Sequence, residues 1–333
     1  MSDMLNHYAC GRESFELLPA DSALNTIIFN AFDAYRLGTQ GPDFFYYHHP
    51  MPWNDLRPLH RYGHLIHTEN IDDFFYNGFL YALSTPQDRT IILSYLAGFS
   101  CHHSLDVATH PYIFYMTGHY DKNNPDSRIY SYYHKYFEVL LDVAYYQYEY
   151  GTLGCFVNLE KLFSPHSETI AALDRFYAFI IKQVYHEQIG HDFIKDVLND
   201  TAELARLFSD PNKIKKHLTE KLENLIGEKR LISRVFYPLY TDELRILNLD
   251  HSEWQHPCTG EISTDTYPQL FAQAVGETVD KFKIIDTFLE NTPPTPEKIH
   301  KMYANKCYGR ALSCDSSLEM THFNIIFEKD LKL

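Results

Sequence analysis

Apolar positions recur along most of the chain at three- and four-residue steps, and few segments alternate with the two-residue period of a half-buried strand. The spacing predicts helices over about 12–18 and 20–36, separated by Pro19, with Asp21 a candidate cap for the second. Helical spacing returns over about 71–83, 87–109 and 129–149. It appears again in two or three amphipathic segments between 166 and 227, and over about 267–290 before Pro293-Pro294. Between these lie breakers. Residues 37–61 hold Gly38, Gly41, Pro42, Pro50, Pro52 and Pro58 around a run of aromatics, which predicts a loop. A loop of that length inside a compact domain is often functional. Gly, Asn, Asp and Pro also crowd residues 118–127. The last twenty residues, with THFNIIFEKD, fit either a short strand or an irregular tail. The expected class is all-α: a multi-helix bundle over residues 1–150 with a helical extension over 151–333 packed on it, as two units or as one continuous domain.

Composition narrows the classes. The chain has 333 residues, enough for a large core. Its 26 Tyr and 23 Phe exclude a disordered chain, which would be poor in aromatics. The net charge of −15 disfavours polynucleotide partners and electrostatic attraction to anionic membranes. Six cysteines without a C-x-x-C pair give neither a disulfide scaffold nor a thiolate zinc site. The opening MSDMLNHYACGRESFELLP has no basic stretch leading into an apolar one, so no secretory signal is expected. No apolar run approaches the ~18 residues of a membrane span. The expectation is a cytoplasmic protein with free thiols, unless a processed form is secreted.

Histidine changes the picture, because the chain has 19 of them and histidine is the commonest metal ligand. In CHHSLDVATHP, His102, Asp106 and His110 stand at four-residue steps, which stay on one helix face. Pro111 is expected to end that helix, leaving His110 in its last turn. In HKYFEVLLD, His134 and Glu138 repeat the step on the next helix. The loop GPDFFYYHHP brings Asp43, and RYGHLIH brings His64 and His67. Each pair alone is what a solvated helix face also shows. Two pairs on successive helices, beside an aromatic loop carrying Asp, point to a metal site, and zinc takes this mix of nitrogen and oxygen donors.

This ordered set resembles the zinc-dependent phospholipase C family, whose fold is shared with the fungal single-strand nucleases. The resemblance covers about residues 1–150 and runs in order through His7 in NHYACG, Asp43 in LGTQGPDFF, His67 in RYGHLIH, His102 and Asp106, His110, and His134 with Glu138. HKYFEVLLD is similar to the family's last ligand helix. The resemblance implies an all-α fold with two or three zinc ions per chain. One zinc would be held by Asp43, His67, His102 and Asp106, and a second by His110, His134 and Glu138. A third would use His7 with Asp106 as a bridging carboxylate. Secreted members complete that third site with an N-terminal Trp. This chain starts Met1-Ser2-Asp3, so another group, such as Asp3 or a trimmed N-terminus, would have to replace it. Some members carry a C-terminal β-sandwich that docks on lipid, where residues 151–333 here read as helical.

The implied activity is phosphodiester hydrolysis by a metal-activated water, releasing an alcohol and a phosphomonoester, with Asp43 orienting or deprotonating that water. A phosphodiester or phospholipid headgroup, small and soluble or zwitterionic, fits the acidic chain better than nucleic acid does. The alternatives are a catalytically silent metal-binding or structural protein, and a nuclease of the same fold, which would need a basic funnel beside its stacking aromatics. Other residues have plainer expectations. His64 is an alternative to His67, with His67 preferred. His103 points ~100° from its ligating neighbour on a helix and is expected to be structural. His48 and His49 are candidates for the cleft wall, while Phe44, Phe45, Tyr46 and Tyr47 are expected to pack the loop. The His191-Asp192 dipeptide is similar to the signature of the HD phosphohydrolases but lacks the ordered partners that site needs. WQHPCTGE, Trp254 to Glu261, is a turn-rich candidate to cover the cleft.

Overall fold

The computed structural model describes residues 4–49, 59–154, 157–190, 192–226, 233, 236–290 and 292–327. The chain is all-α, with one two-stranded hairpin among the described residues. Its first part comprises α1 (Met4–Glu16), α2 (Ala23–Asn30), α3 (Phe32–Gly38), α4 (His60–Thr68), α5 (Ile71–Ser84), α6 (Arg89–Thr117) and α7 (Arg128–Tyr150). Then follow α8 (Ser167–Tyr185), α9 (Phe193–Phe208), α10 (Ile214–Ile226), α11 (Glu243–Ile246), the strands β1 (Trp254–Gln255) and β2 (Ile262–Ser263), α12 (Tyr267–Leu289) and α13 (Pro296–Tyr303).

The molecule is organised around α6. At 29 residues it is about 43 Å long, and it packs against α1, α2, α3, α5, α7, α8 and α12. A helix enclosed on every side shows no polar face, and every residue from Ile92 to Ile113 is buried. The tightest contact is with α3. A Cβ placed on Gly98 would lie 2.1 Å from the Tyr35 carbonyl oxygen, and one on Gly38 would lie 2.2 Å from that of Tyr95. The two backbones touch because neither helix has a side chain at the crossing. One buried apolar cluster runs from Met4 to Phe327 and spans both sides of residue 150.

Several local expectations shift. The first helix spans Met4–Glu16 rather than 12–18, which puts His7 on a helix. The 20–36 helix breaks at Ala31 (φ −136°, ψ 50°), and Ser22, not Asp21, caps it by accepting the Asn25 N–H at 3.1 Å. Pro111 does not end α6. The helix continues to Thr117, and Gly118 closes it with a positive φ. Tertiary contacts hold the extra turns in place. Tyr112 is fully buried and its hydroxyl donates to the Ile246 carbonyl at 3.0 Å. At the helix end, the tail donates Asn324 N–H to Tyr115 O at 2.7 Å and Ile326 N–H to Met116 O at 3.1 Å. These bonds satisfy carbonyls that a helix terminus otherwise leaves open. Residues 321–327 form no strand. Among the described residues no helix is long and apolar enough to cross a membrane.

Candidate metal centre

Five segments bring the site together. Residues 41–43 turn sharply in front of α6. Gly41 has φ +53°, and a Cβ on it would lie 2.2 Å from the His102 ring, so only glycine lets the chain pass and deliver Asp43 over that imidazole. The helices α1, α4 and α7 contribute His7, His67, and His134 with Glu138. α6 supplies His102, Asp106 and His110 from one face, and its continuation past Pro111 keeps His110 in register with the other two.

Asp106 is the hub. Its Oδ1 lies 3.2 Å from His7 Nε2 and 3.5 Å from His110 Nδ1, and its Oδ2 lies 3.3 Å from His102 Nε2 and 3.9 Å from His67 Nε2. Asp43 Oδ1 is 3.0 Å from His67 Nε2 and 3.9 Å from His102 Nε2. A second focus sits one step along α6. Glu138 Oε1 is 3.1 Å from His134 Nε2 and 3.6 Å from His110 Nε2. Three groups thus have mutually close ligand atoms: His7, His102 and Asp106; Asp43, His67 and His102; and His110, His134 and Glu138. All eight residues named from the sequence converge here, and each group can hold a metal ion. Asp3 and His191 lie outside the described residues.

The donor set fits a cation. His102 is fully buried, and neither of its ring nitrogens makes a hydrogen bond. A buried polar atom left without a partner costs about 1–3 kcal/mol. A cation held by Asp43, His67 and His102, or by His7, His102 and Asp106, would remove that cost. The titration states agree. Burial pushes the His102 imidazole down to about 3, with His7 adding to it, so His102 is in the neutral, ligating form. Burial works against charge on Asp106, but the imidazoles of His110, His102 and His7 hold its carboxyl well below the usual range. Glu138 is likewise buried, and His134 and His110 hold it ionised.

Neighbouring groups aim the ligands. His67 Nδ1 lies 2.6 Å from the Gly63 carbonyl, which turns Nε2 toward the site. His64 lines the cavity but belongs to none of the groups of close ligand atoms. His103 faces away: its Nε2 donates to Lys306 O at 3.1 Å, while the buried Lys281 ammonium donates to its Nδ1 at 3.1 Å and to Ser104 Oγ at 2.7 Å. This pins α12 to α6 directly behind His102. Asp142 is a residue the sequence reasoning missed. Its carboxylate accepts the Leu5 N–H at 3.2 Å and the Asn6 N–H at 3.0 Å, and the Tyr237 hydroxyl donates to it. It therefore caps the start of α1 and fixes where His7 stands. Burial raises its carboxyl to about 6 despite those bonds.

Seven of the eight candidate ligands, all but the fully buried His102, line a cavity of about 900 Å³. Tyr46, Tyr47 and Phe114 wall it, and the Lys135 ammonium lies 5.9 Å above the Tyr47 ring. Phe44 and Phe45 are core residues packed edge-on against Tyr177, whereas Tyr46 and Tyr47 face the cavity instead of only packing the loop. His48 and His49 are not in the wall. Nor is Trp254–Glu261. That segment is the β1–β2 hairpin, and its Pro257 carbonyl accepts the N–H groups of Thr321 and His322. The cover comes from residues 307–320, where Arg310 Nη1 donates to Ser316 O at 2.9 Å and Leu318 O at 3.2 Å. No known protein family, curated protein or solved structure matches the chain.

Proposed function

We propose that the chain is a zinc-dependent phosphodiesterase, similar in chemistry to the phospholipases C it resembles. One observation carries this reading: four imidazoles and three carboxylates line one cavity, with Asp106 close to imidazoles of both foci and His102 buried against them without a hydrogen bond. Zinc would fit such a donor set, because imidazole and carboxylate suit it, and Asp106 and His102 stand where they could serve more than one ion. Zinc bound there supplies acidified water near neutral pH and neutralises charge on phosphoryl oxygens.

The chain's own residues supply the rest. Asp43 is the most exposed of the carboxylate ligands, its side chain 26% accessible at the cavity edge. It is placed to orient a water and take its proton. Lys135 stands beside the floor, where Tyr47, Glu138 and Asp43 hold it protonated against the effect of burial. It attracts the phosphate and counters charge on the departing group. Tyr46 and Tyr47 exclude water on one side. A 900 Å³ pocket receives a headgroup-sized phosphodiester, and the net charge of −15 disfavours a long polyanion.

The experiment is metal analysis of chelator-free protein together with hydrolysis of a chromogenic phosphodiester. Two or three zinc held by this centre with turnover supports the enzyme, and no metal bound there overturns it. Metal without turnover on any phosphodiester favours a silent metal-binding protein. Asp43→Asn is expected to lower kcat by about 10²–10⁴-fold, the usual worth of a positioned general base. Full activity with full zinc in that variant removes Asp43 from the role.

A further inference from the structure

We propose that His48, His49 and Asp200 form a separate zinc site that fastens the Asp43-bearing loop to α9. His48 follows directly on the 3-10 helix Asp43–Tyr47. Its Nδ1 lies 3.0 Å from Asp200 Oδ2, and the same oxygen accepts the His49 N–H at 3.0 Å. The two imidazoles stack with centroids 3.8 Å apart and planes 23° apart. Ligand atoms of all three side chains lie within 4.8 Å of one another. None of the three residues belongs to the centre described above, and none lines its cavity.

Two features point to a ligand in place of a simple ion pair. Consecutive side chains in extended backbone point to opposite sides. Here His49 adopts φ +50°, a left-handed conformation that strains a non-glycine residue. That conformation accompanies the stacking of its ring on its neighbour's, toward one carboxylate. The second feature is the donor set: two imidazoles and one carboxylate with close ligand atoms are the donors of a His₂-carboxylate site, which zinc would complete with water. With bonds of 2.0–2.1 Å, tetrahedral zinc sets neighbouring donors about 3.3 Å apart, close to the His48–Asp200 spacing.

The position gives the site a purpose. The next residue on α9, Thr201, has its hydroxyl 3.5 Å from the Phe44 carbonyl, so α9 grips the 3-10 turn near its start while Asp200 grips the chain just beyond its end. A metal at that end would fix the segment whose first residue is Asp43.

The test uses the full-length chain, stripped with a chelator and titrated with Zn²⁺ against a chromophoric competitor. His49→Ala and Asp200→Asn are each expected to bind one zinc fewer than wild type, with the helical circular dichroism unchanged. The double variant His110→Ala/His134→Ala is expected to keep the zinc that those two lose. Equal uptake at equal affinity in wild type and Asp200→Asn, a change that retains an oxygen acceptor for the His49 amide, overturns the proposal. The count is a difference between chains, so it stands whether or not the main centre is catalytic.

Discussion

Asp142 shows how a residue outside the ligand set governs it. The chain gives α1 an N-terminal turn whose N–H groups need acceptors, and Asp142 meets two of them from α7, across more than 130 residues of sequence. His7 stands one residue after the second of those N–H groups. Asp142→Ala is expected to cost about 3 kcal/mol, roughly one for each of three lost bonds. It is also expected to weaken zinc at the His7, His102 and Asp106 group while sparing the His110, His134 and Glu138 group. Zinc titration of the variant decides the matter, and unchanged affinity at every site would separate Asp142 from the centre. His134, Glu138 and Asp142 continue one four-residue step, so the position was visible in HKYFEVLLD. Its task was not, because capping α1 is a contact between distant segments. The eight ligand candidates were legible for the opposite reason: most come as short-range pairs whose spacing alone puts them on one helix face.

At the scale of elements, amphipathic helices such as α8, α9 and α12 announce themselves, because a solvated face leaves a period in the sequence. α6 and α1 are less legible. Both bury residues around most of their circumference, so the period fades, and Pro111 reads as a stop where tertiary bonds carry the helix on. The start of α6 offers a measurable case. Asp88 precedes it and accepts from the Arg175 guanidinium at 3.0 Å (Nε) and from the Tyr81 hydroxyl at 2.8 Å, tying α5, α6 and α8 together. Burial alone would raise the Asp88 carboxyl, but Arg175 and Tyr81 hold it below its ordinary value. A carboxyl depressed in the folded state stabilises above its unfolded value of about 3.9, and that contribution fades as pH falls through the folded value. Asp88→Asn is therefore expected to lose about 2 kcal/mol at pH 7, in the range for hydrogen bonds to a charged group. The gap from wild type is expected to close on acidification below about pH 4. Urea unfolding of both chains at pH 7 and at pH 3 measures it, and a gap independent of pH would show that the charge is not what Asp88 contributes.

For the whole molecule, the centre and the core are one mechanical problem. α1, α4, α6 and α7 all send side chains to the same cavity, so a cation bound there would cross-link four elements. A ligand that binds only the folded chain stabilises it by RT ln(1 + [L]/Kd), about 2.7 kcal/mol at a hundredfold excess over Kd for each site. Removing metal is thus expected to lower Tm by several degrees, given about 2–4 °C per kcal/mol for chains of 150–250 residues and less for a longer one. Adding zinc back should restore it in proportion to free zinc. The charge of −15 adds to the effect, since each divalent ion offsets part of the acidic excess that opposes compaction. The discriminating chain is His102→Ala. It removes a fully buried imidazole shared by two of the ligand groups, so it should start from a lower Tm and respond much less to chelator. A wild-type Tm unmoved by chelator and by zinc would mean that the convergence of these side chains contributes nothing to stability through a metal, and the centre would have to be explained by contacts among imidazoles and carboxylates alone.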